Sequence, residues 1–248
     1  MTWCLVGSEM CIRDRLTQRL QKKDRNEWLE RFAECDQLEH DKVIQEELNP
    51  TNEILTMGEV IRILNEKTGG DAIIVSDVGQ HQMVACRYAE FKQSKSNITS
   101  GGLGTMGFGL PAALGAALGA SDRTVVCVVG DGGLQMTIQE LATIYQTQAK
   151  VKVLLLNNEF LGMVRQWQQL FFDKRYSSTE MINPDFQLLA KAFRMPTNQV
   201  THRDQLDQAL TEFIKTDGAY FLEVMVGKEN NVFPMVPSGS GVAEIRLD

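Results

Sequence analysis

Four short apolar runs constrain this chain more than any other feature. They are "GGDAIIVSDVG" (69–79), "RTVVCVVG" (123–130), "VKVLLLNN" (151–158) and "AYFLEVMVG" (219–227). A run of this length without polar alternation is a strand buried on both faces, as in a parallel sheet. Segments with apolar residues at helical spacing surround them: "ILTMGEVIRILNEKT", "HQMVACRYAEF", "FGLPAALGAALGA" (108–120), "TIQELATIYQT" (137–147), "NPDFQLLAKAF" and "RDQLDQALTEFIKT". Strands alternating with helices imply an α/β fold, a doubly wound and mostly parallel sheet with helices on both faces.

The 248 residues suffice for one such domain and a sizeable core. Residues 51–248 carry the alternation. Residues 16–50 are charged and helical in composition and read as a lead-in, with Trp28, Leu29 and Phe32 on one face. Residues 1–15, "MTWCLVGSEMCIRDR", lack the basic start and apolar core of a signal peptide. They match nothing in the domain that follows and read as a translated sequencing-adapter artefact, a non-native segment. The longest apolar stretch, 108–120, is too short to span a bilayer. A net charge of −7 without a basic run argues against a nucleic-acid surface. It leaves anion binding open, since a metal or backbone N–H groups supply local positive potential. Five scattered cysteines without a CxxC pair suit a reducing cytoplasm better than a disulfide framework. Cys127, inside an apolar run, reads as a small core residue.

Ligands of open parallel sheets bind beyond the carboxyl ends of the strands. Three polar constellations fall at such ends: "DVGQHQ" (77–82), "GDGG" (130–133) and "NNE" (157–159). A helical crossover between the second and third makes Asp131 and Asn158 neighbours. An Asp oxygen, an Asn carbonyl oxygen and a nearby backbone carbonyl form a hard-oxygen set suited to Mg²⁺, which completes its shell with phosphate and water. Gly132 and Gly133 leave room for a diphosphate, and the following helix presents N–H groups to it. Taken singly, each piece has a plainer reading. A GDG turn or an NN pair is commonly only a turn, and His81 alone also fits a helix cap. "GLGTMGFG" (102–109) does not keep the GxGxxG register after a first strand. A Rossmann dinucleotide site would need a phosphate loop after the first strand, where "SDVGQHQ" stands instead.

The conjunction resembles a known family. "GDGG…LLLNNE" is similar to the thiamine diphosphate signature, which begins with GDG and ends in NN. More closely, "SDVGQHQM", "TSGGLGTMGFGLPAALGA", "GDGGLQMTIQELAT", "NNEFLGMVRQWQQLFF" and "NPDFQLLAKAF" resemble the large subunit of acetolactate synthase, from about Trp28 to Pro237. The resemblance implies roles for individual residues. Gln80 and His81 contact the diphosphate, and Gly104 and Met106 flank the cofactor, with Met106 as the apolar prop beneath its bend. Asp131 and Asn158 ligate Mg²⁺ through side chains and Phe160 through its backbone carbonyl, while Gly132 and Gly133 receive the diphosphate. Met163 and Trp167 line the substrate side, beside Met106. Without the resemblance, Met106 and Met163 also fit core methionines and Trp167 a packing or interface aromatic.

The implied activity is decarboxylation of pyruvate and transfer of the two-carbon unit to pyruvate or 2-oxobutanoate, in branched-chain amino-acid biosynthesis. The implied cofactors are thiamine diphosphate and Mg²⁺. The resemblance places FAD in a middle domain and the activating glutamate in the first domain of a neighbouring subunit, neither of which is expected in this chain. Glu140 and Glu159 do not stand in that glutamate's motif. The chain is therefore expected to be a fragment, inactive alone, of an enzyme that is a homodimer or larger and takes a regulatory small subunit. Two alternatives stand beside this: another thiamine diphosphate enzyme of the pyruvate oxidase or carboligase type, and a non-catalytic cofactor-binding subunit of a split enzyme. "GMVRQWQ" and "NVFPMVP" (231–237) fit acetolactate synthase better.

Overall fold

A computed structural model describes residues 16–20 and 23–248. The segment read above as non-native, with Cys4 and Cys11, lies outside the described residues. The chain forms two compact units, one ending at His40 and the other running from Asp41 to Asp248. In the first, helix α1 (Asn26–Glu39) buries none of its residues. Trp28 and Phe32 stack at 4.4 Å between ring centroids on its surface.

In the second unit the π-helical residues 41–44 are followed by α2 (Gln45–Leu48) and then α3 (Met57–Thr68). The start of α3 is fixed by Thr56, whose hydroxyl accepts the Glu59 N–H at 3.2 Å, and its end by Gly69 in the left-handed region. The sheet then begins: β1 (Ile73–Ser76), α4 (Gln80–Tyr88), β2 (Asn97–Thr99), α5 (Gly109–Gly119), β3 (Val125–Gly130), α6 (Asp131–Met136), α7 (Glu140–Thr147) and β4 (Val151–Asn157). It continues with α8 (Gly162–Phe171), α9 (Phe186–Ala192), β5 (Thr197–Val200), α10 (Arg203–Lys215) and β6 (Tyr220–Met225). The strand order is β2-β1-β3-β4-β6-β5, and every pairing is parallel.

The four expected strands are β1, β3, β4 and β6, and the expected helices are all present. Alternate residues of each central strand enter different cores. Val126 and Val128 of β3 join Leu154, Leu156, Leu222 and Val224 under α3, α4 and α10. Val125, Cys127 and Val129 join Val153, Leu155 and Phe221 under α5, α7 and α9. Each such buried Leu or Val stabilises the fold by roughly 1.5–3 kcal/mol relative to exposure. A partly buried ion pair, Arg203 Nε to Glu59 Oε1 at 2.8 Å, ties α10 to α3.

The order has a consequence for function. From β1 the chain steps outward to β2, then returns past β1 to β3 and continues the other way to β4. The sheet's switch point therefore lies between β1 and β3, the place where open α/β sheets form their ligand crevice.

Candidate functional site

At the end of β1, Asp77 is fully buried. Its Oδ1 accepts the backbone N–H groups of Val78 at 2.6 Å and Gly107 at 3.0 Å, and its Oδ2 accepts that of Gly109 at 2.8 Å. One carboxylate thus holds the 104–109 loop and the start of α5. The chain turns into α4 through Gly79, whose φ of 150° is open to glycine alone. Gln80 and His81, the first residues of α4, are thereby buried at the switch point. Burial lowers the His81 pKa, opposed in part by Asp77, so the ring is neutral. Its Nε2 is buried without a hydrogen-bond partner.

At the end of β3, Asp131 begins α6 and is almost fully buried. Its Oδ1 accepts the Gly132 N–H at 3.0 Å and its Oδ2 accepts Asn183 Nδ2 at 2.8 Å. Burial raises its pKa, and these hydrogen bonds pull it back. At the end of β4, Asn158 Oδ1 accepts the Phe160 N–H at 3.2 Å, and its Nδ2 donates to Gln80 Oε1 at 3.3 Å. Glu159 between them has φ 54°, a left-handed conformation. It is held by antiparallel pairing of 159–161 with 179–181 and by an ion pair with Lys228. Backbone strain of this kind needs surrounding structure to maintain it.

These ends enclose a cleft lined by Gln80, His81, Met106, Asp131, Gly132, Gly133, Asn158, Phe160 and Met163, all among the residues singled out from sequence. Gly104, exposed with φ 61°, and Trp167, 39% exposed and stacked on Phe171 at 4.9 Å, do not line it. A Cβ on Gly132 would lie 2.6 Å from Leu161 Cδ2 and 3.7 Å from Met106 Cε, so this glycine opens into the cleft. A Cβ on Gly133 would instead lie 2.7 Å from Asp77 Oδ1. The cleft measures about 50 Å³, below what small ligands occupy. The atom over Gly132 is the end of a flexible side chain, so rotation of Leu161 enlarges it.

The residues fit a metal-bound diphosphate. A buried imidazole nitrogen lacks a partner, a glycine faces the cleft, and the oxygen-bearing side chains of Asp131 and Asn158 line it together with Phe160. The lone pairs that Asp131 and Asn158 leave unused by their hydrogen bonds are the metal-binding capacity of the set. Among the described residues no three His, Cys, Asp or Glu side chains converge; the expected set contains only one of these.

Several residues that shape the site were not singled out from sequence. Asp77 stood in a quoted motif without a role. Gln166 accepts Gln80 Nε2 at 3.0 Å from α8. Asn157, Asn183 and Glu223 form a chain of bonds leading to Asp131. For Glu223 the available signal was a charge inside an otherwise apolar strand.

Comparison with known proteins agrees with this placement. Residues 77–224 match the family described as thiamine pyrophosphate enzyme, C-terminal TPP binding domain. The acetolactate synthase isozyme 2 large subunit of Escherichia coli is 46% identical over 187 residues, covering 75% of this chain and 34% of that protein. The acetolactate synthase catalytic subunit of Saccharomyces cerevisiae, mitochondrial, is 41% identical over 227 residues, covering 90% of this chain and 32% of that protein. Among solved structures, benzoylformate decarboxylase from Polynucleobacter necessarius aligns with a TM-score of 0.65 and 25% identity, over 72% of this chain and 34% of that one. The chain thus spans about a third of the length of these relatives. Among the described residues no helix is long and apolar enough to cross a membrane. The family match extends from the end of β1 into β6 and contains the whole cleft except Met57, and on that extent the chain belongs to the thiamine pyrophosphate enzymes, as their C-terminal cofactor-binding domain.

Proposed function

We propose that this chain supplies the metal and diphosphate half of the active site of an acetolactate synthase. The observation that carries the reading is the meeting of Asp131 and Asn158, at the ends of β3 and β4, around a cleft lined also by Gly132 and by His81, whose buried Nε2 has no partner. Asp131, Asn158 and the Phe160 carbonyl hold Mg²⁺. Gln80 and neutral His81 donate hydrogen bonds to diphosphate oxygens, and Gly132 and Gly133 let them approach the backbone. Gly104 and Met106 flank the bound cofactor, and Met163 and Trp167 face the substrate. Bound thiamine diphosphate supplies the electron sink for decarboxylating a 2-oxo acid and passing on its two-carbon unit.

The substrates are pyruvate and, as acceptor, pyruvate or 2-oxobutanoate, which places the reaction in branched-chain amino-acid synthesis. Residues 51–248 form the cofactor domain and 16–50 lead into it. On this reading the base that activates the cofactor and the FAD site fall in the parts of the longer relatives outside the matched region. The working assembly is a homodimer or larger in the cytoplasm. Several relatives are named as large subunits, which supports a regulatory small subunit as partner. Other thiamine diphosphate enzymes share the fold, as the benzoylformate decarboxylase does, and product identity separates them.

The test is calorimetric titration of thiamine diphosphate into the chain with Mg²⁺ or with EDTA, for wild type and Asp131→Ala. Binding that requires Mg²⁺ and is lost in Asp131→Ala is expected. Equal binding in EDTA, or by Asp131→Ala, defeats the metal assignment.

A further inference from the structure

Glu223 lies on β6, a strand away from the cleft, and is 3% exposed. Its three partners are side-chain amides. Oε1 accepts Asn157 Nδ2 at 2.8 Å, and Oε2 accepts Gln187 Nε2 at 3.0 Å and Gln199 Nε2 at 2.9 Å. A carboxylate only accepts, so Asn157 must turn its nitrogen toward Glu223 and its oxygen away. That oxygen accepts Asn183 Nδ2 at 3.1 Å, which fixes the Asn183 amide with its nitrogen inward. The same nitrogen donates to Asp131 Oδ2 at 2.8 Å, while Asn183 Oδ1 accepts Gln135 Nε2 at 2.9 Å. Asn157 Oδ1 also accepts the Glu159 N–H at 3.1 Å, so the series joins two carboxylates, Glu223 and Asp131, through amides whose orientations agree from both ends.

Packing does not account for Glu223. It lines an open cavity of about 620 Å³ with Asn157, Asn183 and Gln187, where a neutral side chain would fit at lower desolvation cost. We propose that Glu223 is a positioning residue, which through Asn157 and Asn183 holds the Asp131 carboxylate in the orientation that takes the metal. The proposal rests on the reading of Asp131 as a Mg²⁺ ligand. Partners behind a metal ligand commonly change metal affinity by about 10–100-fold, and a residue this far back falls at the lower end.

The test is Glu223→Gln, which keeps size but replaces one acceptor oxygen with a donor, so the hold of Glu223 on Asn157 is weakened while the Glu159 N–H remains. In metal-free protein the Asn183 side-chain amide signal is followed by ¹H–¹⁵N NMR, and Mg²⁺ affinity is then titrated at saturating thiamine diphosphate. A shifted Asn183 signal and about tenfold weaker Mg²⁺ binding, with the thermal transition retained, are expected. An unmoved Asn183 signal in folded Glu223→Gln overturns the proposal, as does a wild type that binds Mg²⁺ beside a variant that binds it within twofold. If wild type binds no Mg²⁺, the metal reading of Asp131 fails, and the Asn183 signal alone decides the positioning. Should Glu223→Gln not fold, Asn183→Ala, in a half-exposed loop, removes the last link instead. It is expected to shift the Asn157 amide signal and weaken Mg²⁺ to the same degree, and leaving both unchanged overturns the proposal.

Discussion

Asp77 Oδ2 lies 2.8 Å from the backbone nitrogen of Gly109, joining the end of β1 to the first turn of α5. With the Gly107 bond at 3.0 Å it anchors the chain immediately after Met106. Asp77→Asn replaces one acceptor by a donor that faces a backbone N–H. Leaving such a buried group unpaired costs about 1–3 kcal/mol. Guanidinium unfolding should show a lower midpoint at unchanged slope, and amide exchange in 104–109 should accelerate. Wild-type exchange in that loop would mean that Asp77 does not hold it.

Two glycines beside this carboxylate and a third in the cleft are expected to differ on substitution by alanine. At Gly109 a Cβ would lie 2.9 Å from both the Asp77 backbone nitrogen and Cβ, and at Gly133 it would lie 2.7 Å from Asp77 Oδ1. At Gly132 it would meet only the mobile end of Leu161, at 2.6 Å. Overpacking against fixed atoms costs about 1–3 kcal/mol. Gly109→Ala and Gly133→Ala should lose that stability, while Gly132→Ala unfolds near wild type and loses cofactor affinity. A Gly132→Ala protein as unstable as Gly109→Ala counts against this distinction.

Leu161 gives a prediction of opposite sign. Its side chain lies over Gly132, while its backbone N–H is held by the Thr179 carbonyl at 2.8 Å. Leu161→Ala should enlarge the cleft without moving the loop. Because the wild-type side chain must rotate before a diphosphate enters, stopped-flow association of thiamine diphosphate should become faster in the variant. Unchanged or slower association would show that Leu161 is not the obstacle.

The central strands, and the placement of Asp131 and Asn158 at strand ends, were legible because each rests on a local signal: an apolar run, then a polar residue where the run stops. The edge strands β2 and β5 carried no such signal. "NIT" and "TNQV" are short and mostly part-exposed, and beside their backbone pairing they contribute few core residues, such as Val200, too few for periodicity to register. Asn183 read as part of an Asn-Pro turn, since its contacts with Asn157 and Asp131 depend on where the 179–185 loop returns over the sheet. Asp77 and Asp131 both end a strand, yet one holds a loop and the other opens into the cleft. That difference comes from strand order, which no single motif encodes.

Cysteine reactivity checks the sheet independently. Cys86 is exposed on α4 and Cys35 on α1, whereas Cys127 is buried in β3. Burial pushes the Cys127 thiol far above its ordinary range, and only the thiolate reacts. Native protein treated with a thiol reagent and mapped by mass spectrometry should carry the label at Cys35 and Cys86. Cys127 should be modified only in denaturant; rapid native labelling there would contradict a covered sheet.

Glu47 ties stability to pH. Its Oε1 accepts the Gly58 N–H at 2.7 Å at the start of α3, beside a cavity of about 190 Å³. Burial raises its pKa to about 7, the Gly58 bond opposes the rise, and neighbouring Glu46 adds to it. In the unfolded chain a glutamate titrates near about 4.3. The folded value is therefore the higher one. The resulting stabilisation is complete below the unfolded value and is lost as pH rises through about 7. Glu47→Gln keeps the acceptor for Gly58 and cannot ionise. Wild type and variant should unfold alike at pH 4, while at pH 8 the variant should be more stable by about 1–2 kcal/mol, a value reduced because part of the side chain reaches water. Denaturant titrations at the two pH values measure this directly, and a difference that does not change with pH would show that Glu47 ionisation is not its source.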